Sequence, residues 1–130
     1  MMKLIKSKKV TRLALAGAIL MTLLSGCEYD YMDFPEPPPI TTELKFSSDI
    51  IPIFNESCNM SGCHSAGAFD PDLSPANAYA SLTSLNMIDT ETPTNSVLYK
   101  VMATGSMRSY STALQTQTIL TWIQQGAKNN

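Results

Sequence analysis

Apolar residues in the second half of the chain recur at helical spacing, and no run alternates long enough to predict a strand. Ile50, Phe54 and Cys58 fall at i, i+4 and i+8, and Ser47 or Ser48 can cap a helix that ends at Cys58. Pro52 limits where that helix begins, because proline is tolerated only in a first turn. Ser74-Pro75 reads as a cap followed by proline at the first helical position, opening a short helix through Leu82. Asn95 or Ser96 can cap a third helix, with Val97, Leu98, Val101 and Met102 apolar. The last predicted helix runs from Thr112 to Gln125. Thr112-x-x-Gln115 fits a capping box, Gly126 fits the position just past the end, and Ile119, Leu120, Trp122 and Ile123 supply the apolar side. Four short helices over residues 44–126 predict an all-α domain with a thin core, of a size that is marginal without an extra staple.

The N-terminal pattern is different. Residues 1–12 carry Lys3, Lys6, Lys8, Lys9 and Arg12 and no acid, and an apolar run of twelve follows from Leu13 to Leu24. That run is too short for a membrane span, which needs roughly 20 residues, and it reads as an export signal. Leu24-Ser25-Gly26-Cys27 resembles the lipobox of bacterial lipoproteins. The resemblance implies cleavage before Cys27 and acylation of its sulfur and amine, which with several acyl chains anchors stably. Residues 28–43 are acidic and proline-rich, with Pro35, Pro37, Pro38 and Pro39 favouring extended backbone. They read as a tether that could hold a domain on the order of 50 Å from a bilayer. The expected organisation is therefore a signal peptide (1–26), a lipidated Cys27 with its tether (27–43), and a folded domain (44–130).

Removing the signal changes the charge. Lys45, Lys100, Arg108 and Lys128 remain against all eleven acids, a net charge of −7. With no cationic face for phosphates, nucleic acid is excluded as a partner class. The acids Glu28, Asp30 and Asp33 just after Cys27 resemble surface-export signals of some Gram-negative lipoproteins. The expected location is a bacterial membrane, on its periplasmic side or at the cell surface, with the outer membrane favoured.

Of three cysteines, lipidation of Cys27 leaves Cys58 and Cys63. In an oxidising compartment these form a disulfide, a metal pair or thioethers. The stretch Cys58-Asn59-Met60-Ser61-Gly62-Cys63-His64 is a C-x4-C-H variant of the C-x-x-C-H haem attachment signature. Two thiols must reach the two vinyl groups along one porphyrin edge, with an imidazole beside the second. Two extra spacer residues can loop out, and Gly62 eases the bend. His64 is the only histidine, so two imidazoles from one molecule cannot ligate an iron. A structural zinc site would want four ligands, which Cys58, Cys63 and His64 do not supply. Asp70-Pro71-Asp72-Leu73-Ser74 imitates the opening of a calcium loop but lacks its glycine and its closing glutamate.

The order of several short segments resembles the small cytochrome c domains first described in planctomycete proteins, over Phe46 to Ala127. These segments are Asp49-Ile50-Ile51-Pro52-Ile53-Phe54, Cys63-His64, Asp72-Leu73-Ser74, Ala78-Tyr79-Ala80-Ser81-Leu82, Pro93 with Ser96-Val97-Leu98-Tyr99, Met107, Leu114, and Trp122 to Ala127. The resemblance implies a cytochrome c-like fold around one covalent haem c, with thioethers at Cys58 and Cys63 and His64 as proximal iron ligand. It also implies a distal methionine before the last helix, where Met107 stands. Arg108 and Ser109 follow it, where the family has prolines. Of the other methionines, Met60 lies inside the attachment loop, Met102 on a helix among apolar neighbours and Met87 in a polar connection. Met107 leads, with Met102 and Met87 as alternatives.

The expectation is thus a membrane-anchored mono-haem cytochrome, not an enzyme, that passes single electrons between redox partner proteins outside the cytoplasm. Two readings compete: a haem-free binding or structural lipoprotein with a Cys58–Cys63 disulfide, and a five-coordinate haem sensor or peroxidase.

Overall fold

A computed structural model of the protein describes residues 36–130. Among these the fold is all-α, with four helices and no strand: α1 (Ile51–Ser57), α2 (Ala78–Ser84), α3 (Val97–Ala103) and α4 (Ala113–Gln124). A π-turn at Phe46–Ile50 leads into α1, and short 3-10 turns at Pro93–Asn95 and Arg108–Tyr110 precede α3 and α4. None of these helices is long and apolar enough to cross a membrane. Cys27, the segment 1–26 and the first part of the tether lie outside the described residues.

Local chemistry explains each start. Asp49 carries the π-turn: its carboxylate accepts from the Lys45 amide at 2.7 Å, while its own amide donates to the Lys45 carbonyl at 2.9 Å. Pro52 sits within the first two positions of α1, where its missing donor costs nothing. α4 has the expected capping box. Thr112 accepts from the Gln115 amide at 3.2 Å, and Gln115 accepts from the Thr112 amide at 2.8 Å. Gln115 also donates to Glu56 of α1 at 2.7 Å, tying the two helices. Gly126 takes φ +95° just past α4, a conformation that L side chains rarely adopt.

Three caps differ from expectation. Neither Ser47 nor Ser48 caps the first helix, because both lie inside the π-turn and the Ser48 hydroxyl donates to Asp49 at 3.1 Å. The helix expected to open at Ser74-Pro75 begins instead at Ala78, because Ser74 donates its hydroxyl to Asp72 at 2.6 Å and is not free to cap. Ser96 does stand at the cap of α3, but its buried hydroxyl accepts from the Asp89 amide at 2.9 Å. Ser74 and Ser96 close the preceding loop rather than the helix that follows.

The helices bury one face each. Ile50, Phe54 and half-buried Cys58 continue down the first; α2 contributes Ala78 and Leu82, α3 Leu98 and Met102, and α4 Ile119, Trp122 and Ile123. α4 packs on the π-turn and on α3. At the centre lies an aromatic cluster. Phe46 stands 5.3 Å from both Tyr79 and Trp122 between ring centroids, and the Trp122 indole donates to the Lys128 carbonyl at 3.0 Å. Trp122 is fully buried among these rings and is a core residue. The C-terminal tail closes over the cluster, with Tyr79 donating to the Ala127 carbonyl and the Phe46 amide to the Asn130 side chain. Cys58 is half-buried and packs against this core from outside, which places the candidate site at its edge.

Candidate functional site

The site is built on the loop that leaves α1. The Cys58 and Asn59 amides both donate to the Phe54 carbonyl, at 2.9 and 2.7 Å, which ends the helix and turns the chain back. Gly62 follows at φ +80°, in open space, so its conformation and not crowding demands a glycine. The Cys63 amide then reaches the Met60 carbonyl at 2.9 Å, and the His64 amide reaches the Cys58 carbonyl at 3.2 Å. The four residues between the cysteines thus form a closed loop with Cys58 and His64 bonded across its base.

His64 is fixed at two further points and its neighbour Cys63 at one. The His64 carbonyl accepts from the Leu73 amide at 2.8 Å, and the Cys63 carbonyl accepts from the Phe69 amide at 3.0 Å. The ring is held as well: Nδ1 lies 3.1 Å from the Phe69 carbonyl oxygen. A carbonyl can only accept, so Nδ1 carries the proton in the neutral ring and Nε2 keeps its lone pair. A metal-binding histidine needs this arrangement, with one nitrogen held and the other free to ligate.

Ser57, Cys58, Gly62, Cys63, His64, Phe69, Met107 and Tyr110 line one cavity of about 260 Å³. The structure therefore brings Cys58, Cys63, His64 and Met107 together from two stretches more than forty residues apart in sequence. No Asp, Glu, Lys or Arg occurs from Ser57 to Phe69, and none lines the cavity. The Cys58 thiol is half-buried, and burial pushes its pKa up, with neighbouring Cys63 adding to the effect. Cys63 is exposed at the rim.

The other methionines lie elsewhere. Met102 is 4% exposed and belongs to the core, Met87 packs against the core from outside, and Met60 is exposed on the attachment loop. Of the four, only Met107 lines the cavity with His64. The calcium-like stretch is a local turn, in which Asp72 accepts from the Ser74 hydroxyl and amide and from Asn77. These bonds, the Ser74 hydroxyl first, hold its carboxyl below the usual range. Among the described residues no group of three or more His, Cys, Asp or Glu converges as a metal site.

Two participants were not legible in sequence. Phe69 acts through its carbonyl, which the loop closure alone places beside the His64 ring. Tyr110 lies three residues after Met107, at the end of the 3-10 turn Arg108–Tyr110, and only that turn carries it to the cavity. A larger cavity of about 580 Å³ between α3, α4 and residues 36–37 contains none of the thiol or imidazole groups.

Two thiols, one imidazole and one thioether line the cavity with no charged side chain among them, the donor set that a covalently held tetrapyrrole would require. The cavity is smaller than pockets that enclose a whole drug-sized ligand. No family model, curated protein or solved structure matches the chain.

Proposed function

We propose that the protein is a mono-haem c-type cytochrome of small cytochrome c-like fold, held by a lipid at Cys27 to the outer face of a bacterial membrane, and that it carries single electrons between partner proteins. The observation that carries this reading is the His64 ring. It is pinned through Nδ1 to the Phe69 carbonyl at 3.1 Å, and it lines the same cavity as Cys58, Cys63 and Met107.

Haem, when bound, supplies an iron that cycles by one electron between two oxidation states. The chain's residues do the rest. Cys58 and Cys63 would hold the group covalently, each thiol adding across a vinyl double bond with no atom lost, so that it could not diffuse away outside the cell. His64 would ligate the iron through Nε2, its ring orientation set by the Nδ1 contact with the Phe69 carbonyl. Met107 would supply a second, thioether ligand, which would leave the iron no position for a substrate and raise its potential relative to a second imidazole. The uncharged lining and partial burial push in the same direction by disfavouring the more highly charged oxidised state.

The test is expression of the full chain with a cytochrome c maturation system. The mature protein should be red, and the colour should stay with the polypeptide through acid-acetone extraction. A colourless product whose two sulfurs are joined to each other would leave only a lipid-anchored disulfide module.

A further inference from the structure

Met107 reaches the cavity on a loop that has no proline to stiffen it, so something else must hold it. The residues after α3 are fastened to the end of that helix by backbone bonds. The Gly105 amide donates to the Lys100 carbonyl at 2.9 Å and the Met107 amide to the Val101 carbonyl at 3.0 Å. Arg108 returns a bond to the Gly105 carbonyl at 3.2 Å, and the Ser111 hydroxyl donates to the Met102 carbonyl at 3.3 Å. Gly105 lies so close to α3 that a Cβ there would stand 2.7 Å from the Val101 Cα, and 3.2 Å from the carbonyl oxygens of both Lys100 and Val101. All three are helix backbone atoms and cannot rotate aside. The Val101 carbonyl is also the acceptor that fixes the Met107 amide. A methyl group at position 105 therefore presses on the bond that sets where Met107 stands.

We propose that Gly105 is a positioning residue for the distal ligand, and that its lack of a side chain lets the loop dock tightly enough to present Met107 opposite His64. This inference rests on the haem reading above. Gly105 touches neither iron nor porphyrin and acts only through Met107.

The experiment compares the haem-loaded full chain with Gly105→Ala, Ser106→Ala and Met107→Ala. Gly105→Ala should keep its covalent haem and its helical circular dichroism. It should lose the methionine-to-iron absorption band of the oxidised protein and, once reduced, bind carbon monoxide at a rate approaching that of Met107→Ala. Ser106→Ala should behave as wild type. Should Gly105→Ala keep the band and exclude carbon monoxide while Met107→Ala loses the band and admits it, the positioning role is wrong and the haem reading stands. Should Met107→Ala change neither, the ligand assignment falls and the role of Gly105 with it. A measurement on the wild type covers a variant that fails to fold: the Met107 amide should exchange with deuterium far more slowly than that of exposed Ser106. Equal rates overturn the proposal.

Discussion

The Nδ1 atom of His64 and the carbonyl oxygen of Phe69 lie 3.1 Å apart across a loop of five residues. The bond sets which nitrogen is free, and it does so before any ligand is present. The ring of the haem-free chain should therefore be a single tautomer in its neutral form. Nitrogen-15 spectra of the imidazole should show the proton on Nδ1, and a predominant Nε2–H form would remove the argument for a prearranged ligand.

Met102 and Met107 sit five residues apart and answer to different forces. Met102→Ala empties a core position and should cost about 2–5 kcal/mol of stability with ligation unchanged. Met107→Ala, at a half-exposed position, should cost much less in urea or thermal unfolding yet open the sixth position to carbon monoxide. Reversed outcomes would exchange the two assignments.

Trp122 is fully buried against Phe46 and Tyr79 and spends its only donor on the Lys128 carbonyl. Replacing it with alanine should destabilise the domain by about 3–5 kcal/mol. Phenylalanine should recover part of that loss but not the hydrogen bond. A chemical-denaturation series on the three proteins checks the order.

Thr112→Ala removes one half of the capping box on α4 and should cost about 1 kcal/mol. Gln115→Ala should cost more than the cap alone, since it also severs the bond to Glu56 on α1. Midpoints of unfolding measure both.

Asp72 and Asp89 are held below the usual carboxylate range, Asp72 chiefly by the Ser74 hydroxyl and Asp89 chiefly by the Thr92 hydroxyl. Because the folded values are depressed, this stability is complete above the ordinary value near about 3.9, and it drains away as pH falls through the folded-state values. Both groups are exposed, so the effect is modest. Ser74→Ala should flatten the acid limb of a stability–pH curve measured by urea midpoint, and an unchanged limb would show that the bonds contribute nothing.

What could be read from sequence divides along physical lines. The last helix was legible in full, since Thr112, Gln115 and Gly126 signal its ends through local chemistry. The first was legible through the Ile50, Phe54 and Cys58 spacing. Ser74 and Ser96 misled because a hydroxyl that can cap a helix can equally bond an aspartate two or seven residues back, and only the fold decides between them. The same limit applies at the site. The adjacency of Cys63 and His64 is written in the chain, as is the position of Met107 ahead of α4. The Phe69 carbonyl, the backbone bond from Met107 to Val101 and the close approach of Gly105 are relations between peptide groups, which no side-chain pattern encodes. Leu114, one of the residues that carry the resemblance, lies 54% exposed on α4 and takes no part in the core.

The proline-rich stretch ahead of the domain is stitched to α4 in two places. Gln117 donates to the Pro38 carbonyl at 3.3 Å, and Gln125 donates to the Thr42 carbonyl at 2.9 Å while accepting from the Leu44 amide at 2.8 Å. Tension on an anchored end would meet these clips in turn, the weaker one at Gln117 before the paired one at Gln125. Freeing the five residues from Pro38 to Thr42 would also lift Ile40 off the core it packs against, so the second clip resists with apolar contact as well as hydrogen bonds. With the anchor proposed at Cys27, reach from a membrane would lengthen in a step, with α4 serving as the cleat.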